Sequence, residues 1–291
     1  MKLGCKVRVL AVGATGQFAG LVVPALAAKG LTVRALVHDP AKADRVRDLG
    51  AAEAVPGDLR DRASIEAALT GVDAVFHVTP AFAPDAAELG VGMVDAAVAA
   101  GVQRFVFSGV YHPSLSLVNH ASMRPVEEAL YRSRLEFTVL QPAMFMQGLA
   151  GSWRDAVERG RFVAPYSRDS AMSFVDYRDV AEVAALAFAG DDLVDGTFEL
   201  AAGGMLTRTQ IAAMISRHAG RTVLAADVDP DVALGSMPEG AMRDGLSAMF
   251  ADYTAYGFRG GNNLVLRTVL GRAPRTMDSY LAELAESAPT T

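Results

Sequence analysis

Short runs of consecutive apolar residues alternate along this chain with longer stretches in which apolar positions recur every three or four residues. The runs at Val7–Val12, Thr32–Val37, Ala52–Val55, Ala74–Val78, Arg104–Ser108 and Phe137–Leu140 read as strands buried on both faces. Between them, stretches such as Asp85–Ala100 and Val126–Arg134 have the helical period. Strand and helix in regular alternation predict an α/β fold built on a doubly wound parallel sheet. Ligands of such sheets lie beyond the carboxyl ends of the strands, so the informative residues are those that follow each run.

The first run leads straight into Gly13-Ala14-Thr15-Gly16-Gln17-Phe18-Ala19 and then an amphipathic helix ending at Lys29-Gly30. Gly13 and Gly16 have no Cβ, so the backbone can turn tightly and approach phosphate oxygens, with the helix N-terminus facing their charge. Ala19 is small enough to let helix and strand pack closely. A second strand at Thr32–Val37 completes a β-α-β unit of the size that a dinucleotide requires. A nicotinamide nucleotide is therefore the first ligand expected; the alternative is a plain strand-turn-helix corner in a domain that binds no nucleotide.

The tip of the second strand separates the two nicotinamide cofactors, since an acidic residue there binds a ribose 2′-hydroxyl and cations accept a 2′-phosphate. Here the strand ends Leu36-Val37-His38, with Arg34 and Lys42 nearby, which favours NADP(H) over NAD(H). On the opposing reading Asp39 caps the next helix, and His38 and Lys42 are merely exposed.

The chain has 291 residues, 51% of them hydrophobic, and a net charge of −6, enough to bury one large core with a smaller lobe. The acidic balance lacks the basic footprint of a direct nucleic-acid binder. No apolar run is both long and uncharged enough to span a bilayer, and the first residues resemble no signal-peptide core. The one cysteine, Cys5, permits no internal disulfide and no metal cluster, so the expected compartment is the cytoplasm.

Three further segments carry a resemblance: Phe105–Pro113, Asn119–Glu128 and Leu135–Gln147. Together with the glycine loop, Gly261-Asn262-Asn263 and Leu270–Arg275, they resemble the NmrA-like branch of the atypical short-chain dehydrogenase/reductase superfamily. The resemblance implies a Rossmann-type sheet with a smaller mixed α/β C-terminal lobe and a nucleotide in a shared cleft. It gives a dinucleotide domain over residues 1–150 and a substrate or partner lobe over 151–291, some segments of which return to the sheet. Members act either as NADPH-dependent reductases or as redox-sensing regulators that contact a protein partner. Carried over residue by residue, Gly13, Ala14, Thr15, Gly16, Gln17 and Phe18 would hold the pyrophosphate. His38 stands where many NADP-binding relatives have arginine. Asp58-Leu59 would border the adenine, although Asp58 also reads as a turn residue. Thr79-Pro80-Ala81 would run beside the nicotinamide ribose and Met144–Gln147, including Phe145, would cover the far side of the ring, with Val78 and Ala143 also at the cofactor.

The chain departs from the wider superfamily in its lysines: after Lys42 there is none, so the Tyr-x-x-x-Lys dyad cannot exist. Many NmrA-like sequences keep a lysine three residues before Val-Glu-Glu, where this chain has Met123. The neighbouring Arg124 points about 100° away around a helix. Proton donors must then be weaker ones, and Ser108, Tyr111 and His120 follow the fifth strand. His112 reads as a loop-shaping residue, His77 and His218 as structural. Quinones and activated alkenes suit such a site because their reduced forms are stabilised anions.

Beyond Gln147 the pattern loosens. Ser173–Ala181 reads as a short strand turning into a helix with Asp179 near its start, Thr197–Leu200 as a strand, and Thr207 as the N-cap of a helix over Gln210–Ala219. Met237–Tyr256 carries Met242, Leu246, Met249, Phe250 and Tyr253 at helical spacing, which predicts core packing first and an interface second. Trp153, Phe145, Met146 and Met172 suggest an apolar wall for a flat substrate. Arg154, Arg159, Arg161 and Arg168 offer an anion clamp without any spacing that selects one. The expected partner is an apolar or aromatic small molecule bound by a monomer or homodimer, and no metal is expected.

Overall fold

The computed structural model describes residues 7–287; Cys5, Lys2 and Lys6 lie outside them. Among the described residues eleven strands run in chain order: β1 (Arg8–Ala11), β2 (Thr32–Val37), β3 (Glu53–Pro56), β4 (Ala74–Val78), β5 (Arg104–Ser108), β6 (Glu136–Pro142), β7 (Met144–Phe145), β8 (Arg161–Ala164), β9 (Phe174–Val175), β10 (Gly196–Leu200) and β11 (Leu224–Asp227). Seven of them form one sheet in the order β10-β6-β5-β4-β1-β2-β3. Every pair from β6 to β3 is parallel. The order turns outward in both directions from β1 and β4, which is the doubly wound arrangement the alternating pattern predicts.

The chain divides into two compact units. The first comprises the described residues up to Pro142 together with Tyr177–Glu199. The second comprises Ala143–Asp176 and the described residues from Leu200 onward.

In the first unit, strand residues Leu10, Val75, Phe105 and Phe107 bury against Ile65 and Leu69, Met93 and Val94, and Val126 and Leu130. These belong to the helices Arg62–Leu69, Ala86–Ala99 and Arg124–Tyr131, which share that core. Burying each such side chain contributes about 1.5–3 kcal/mol relative to exposure. The helices Val22–Ala28 and Tyr177–Ala189 pack on each other. Arg104, buried at the start of β5, ties the end of the second of these to the sheet. Its guanidinium lies 2.6 Å from Glu136 and 2.7 Å from Asp191 and donates to the carbonyls of Ala187 and Gly190.

Two expectations change. The first helix does not open directly after the glycine loop: turns and a 3-10 segment at Ala19–Leu21 precede Val22–Ala28. Pro24, which lacks an N–H, is accommodated in a first helical turn, and this sets the start near Val22. In the second unit, Tyr253 is buried but Met242 is 49% exposed, so the helix Ala241–Tyr256 does not bury its apolar stripe throughout. Helical spacing defines a face, and how much of that face is covered depends on neighbours distant in sequence. Thr207 caps its helix as expected, with a reciprocal bond from its own N–H to Gln210.

Candidate functional site

The carboxyl ends of β1, β4 and β5 bring the glycine loop, Val78, Thr79 and Ser108 into one neighbourhood. Gly13 has φ +82°, and a Cβ there would lie 2.5 Å from Val78 Cγ1 and 3.2 Å from Ala19 Cβ. Only glycine allows the loop to approach β4 this closely. The Gly16 N–H closes the turn onto the Gly13 carbonyl at 2.8 Å, and Gly20 passes so near Ala14 that a Cβ would lie 2.9 Å from its carbonyl oxygen. Ala14 is buried, Thr15 and Phe18 are half-buried, and Gly16 and Gln17 are exposed. The loop is thus clamped on its inner side and offers backbone on its outer side. This cradle, which a Cβ would fill, fits a dinucleotide pyrophosphate.

At the end of β2, His38 is 77% exposed and its Nδ1 stands 3.7 Å from Asp58 Oδ2. Asp58 also accepts from the Arg60 N–H, and its own N–H donates to Ser64 Oγ, so it shapes the turn and faces His38 at once. Leu59 packs on the core of the first unit. Asp39 accepts from the Ala41 N–H and caps the turn Pro40–Lys42, leaving Lys42 exposed. Arg34 is not at this tip. It pairs with Glu53 at 2.8 Å and donates to the carbonyls of Ala68 and Thr70. Alternation along β2 and its distance from the strand end commit it elsewhere.

Val78 is in register with Ser108, and Thr79 and Pro80 follow β4. Thr79 is buried, its Oγ1 lying 3.2 Å from His77 Nε2. Ser108 is buried as well, with Oγ 3.0 Å from the hydroxyl of Tyr177. Tyr177 also places its ring 6.4 Å from that of Phe18, and burial pushes its pKa up to about 12. It links the glycine loop to the end of β5. Its one sequence signal was its place at the start of a helix after a short strand.

Tyr111 is buried, its ring centroid 4.1 Å from that of His112. Burial, and then the charge of Glu199, raise its pKa. His112 has φ +57°, and its carbonyl oxygen accepts from the Leu115 N–H and, at 3.1 Å, from His120 Nδ1. A carbonyl can only accept, so His120 Nδ1 carries a proton in this bond. Ser108 joins Tyr177, and Tyr111 and His120 join His112. Met123 is buried in the core cluster, while exposed Arg124 donates to the Ala121 carbonyl, as their positions around the helix require.

Ala143, Met144 and Phe145 lie in the second unit. Met144 and Phe145 line an apolar cavity of about 320 Å³ with Phe162, Tyr166, Met172 and Phe174. Met146 lines a second cavity, with Phe174, Leu206 and Met277. Three of the four arginines proposed as a clamp pair with carboxylates: Arg154 with Glu158, Arg159 with Asp155 and Arg168 with Asp227. The arginine on the 320 Å³ cavity is Arg208, at the start of the helix Arg208–Ala219, which the sequence pattern did not single out. Its guanidinium donates to the carbonyls of Ala164, Ala226 and Tyr166, and burial lowers its pKa.

The NmrA-like family matches residues 5–281, and the chain belongs to it. An NAD(P)H azoreductase from Xenophilus azovorans is 31% identical over 283 residues, covering 94% of this chain and 96% of its own. The NADPH complex of an NADPH-dependent quinone oxidoreductase from Escherichia coli shares the fold with a TM-score of 0.81 at 24% identity, covering 96% of this chain and 99% of its own. A triphenylmethane reductase from Citrobacter sp. does so with a TM-score of 0.83 at 20% identity, with coverage of 96% and 99%. The regulatory alternative gains no support from these relatives. Among the described residues no helix is long and apolar enough to cross a membrane.

Proposed function

We propose that this protein is an NAD(P)H-dependent oxidoreductase that prefers NADPH and reduces flat, conjugated, apolar acceptors of the quinone, enone or azo class. The observation that carries this reading is the approach of Gly13 to Val78, which clamps a phosphate-binding backbone loop beside Thr79 and Ser108. Gly13 to Phe18 would hold the pyrophosphate, and Asp58 and Leu59 would border the adenine. His38 and Lys42, both exposed, would meet the 2′-phosphate.

When bound, the nucleotide supplies a hydride. The chain's own groups position that chemistry and handle protons. Ser108 Oγ and the Tyr177 hydroxyl are hydrogen-bonded, either one donating, and because the tyrosine is held protonated, the pair can hydrogen-bond a developing oxyanion without forming a tyrosinate. Met123 puts no ammonium beside the pair, so the pair remains a weak acid. Such a donor suits acceptors whose reduced anions are stabilised by conjugation better than simple ketones. The 320 Å³ cavity of the second unit, mainly apolar and of a size that holds small ligands, is consistent with an apolar substrate.

The test is nicotinamide absorbance of NADPH with purified protein and a panel of quinones, enones, azo compounds and simple ketones. Protein-dependent oxidation with conjugated acceptors and little with ketones is expected; binding without oxidation by any acceptor would overturn the reading.

A further inference from the structure

His77 is fully buried on β4, its ring stacked on that of Phe107 at 5.9 Å and tilted against that of Phe105 at 6.0 Å. Burial pushes its pKa down to about 3, so the ring is neutral and carries one N–H. Its Nδ1 has no hydrogen-bond partner, and its Nε2 lies 3.2 Å from Thr79 Oγ1. A proton on Nδ1 would be a buried donor without an acceptor, which costs about 1–3 kcal/mol and is rare in folded proteins. A proton on Nε2 meets the threonine oxygen.

The helix Ala86–Ala99 passes close to this side chain through a glycine: a Cβ on Gly90 would lie 3.0 Å from Thr79 Oγ1 and 2.3 Å from Val126 Cγ2. A hydroxyl has one hydrogen, and if Oγ1 accepts from His77 that hydrogen remains to be donated. Thr79 follows directly on Val78, which backs Gly13 and is in register with Ser108.

We propose that His77 is a positioning residue for the nucleotide: held as the Nε2–H tautomer, it donates to Thr79 Oγ1 and so commits the Thr79 hydroxyl to donate to an oxygen of the nicotinamide ribose. This inference rests on the nucleotide site proposed above. The two residues stand two apart at the end of β4, and the 3.2 Å approach places their side chains together.

The tautomer is read first, on the unmodified protein labelled with ¹⁵N-histidine. Long-range ¹H–¹⁵N spectra are expected to show His77 protonated at Nε2, with no titration between about pH 5 and 8; protonation at Nδ1 would overturn the proposal. NADPH affinity is then measured by fluorescence in His77→Phe, Thr79→Val, the double variant and His77→Gln. Each single loss should weaken binding about tenfold, the double variant no further, and His77→Gln, which keeps an N–H donor, should stay within about threefold of the parent. Unchanged affinity in His77→Phe overturns the inference alone. Failure of the parent to bind NADPH overturns the nucleotide site itself, and with it the inference.

Discussion

The hydroxyl of Tyr177 lies 3.0 Å from Ser108 Oγ, joining the start of a helix to the end of β5 across 69 residues of chain. Both groups are buried, so each is the other's substitute for water. Removing either hydroxyl breaks this buried hydrogen bond, which costs about 0.5–1.5 kcal/mol. Urea unfolding of Tyr177→Phe and Ser108→Ala should show losses of that size, and the double variant should lose less than their sum. The tyrosine titration adds a second signature. Unfolded tyrosine ionises near pH 10, while folded Tyr177 holds its proton to about 12. The parent should therefore lose stability as pH rises through that window, and Tyr177→Phe should lose less.

Gly13→Ala should uncouple the nucleotide loop from the sheet. The backbone conformation costs an L-residue about 1–2 kcal/mol, and the new Cβ meets Val78 Cγ1 at 2.5 Å. A melting temperature lowered in the free protein, together with loss of the stabilisation that NADPH gives the parent, is the expected result of thermal unfolding with and without nucleotide.

His38→Glu should discriminate between cofactors. The new carboxylate would stand beside Asp58, whose Oδ2 is now 3.7 Å from His38 Nδ1. Affinity for NADPH should fall about tenfold or more and affinity for NADH only slightly, since only the former brings a 2′-phosphate to this tip. Parallel fluorescence titrations decide it; equal losses would remove His38 from the 2′-phosphate site.

His77 should make the fold acid-sensitive. Its folded pKa of about 3 lies below the ordinary value of 6.5, so between those values the unfolded chain binds a proton that the folded chain refuses. Stability is full above pH 6.5 and falls as pH drops toward 3, by up to about 1.4 kcal/mol per pH unit from this group. Urea midpoints across this range should fall more steeply in the parent than in His77→Phe.

The central strands were legible because residues such as Val9, Leu10, Phe76 and Phe105 are buried on both faces and leave uninterrupted apolar runs. The glycine loop was legible because backbone approach demands a missing Cβ at fixed spacing. Tyr177 was not, because nothing local distinguishes a helix-start tyrosine that reaches β5 from one that packs in place. Arg34 was misplaced for the same reason: its position along the strand was clear, but its partner Glu53 comes from β3. Arg208 was missed because the carbonyls that hold it belong to Ala164, Tyr166 and Ala226, remote in sequence. Local pattern specifies elements, whereas the polar pairs that finish a site depend on which elements meet.

The most direct measurement is a single turnover with protein in excess over NADPH, mixed with a naphthoquinone and followed by nicotinamide absorbance. The predicted result is a decay faster than in the protein-free mixture and slowed when the transferable hydrogen of the nicotinamide is deuterium. NADPH that stays bound while its absorbance persists, or decays as it does without protein, would contradict hydride transfer by this site.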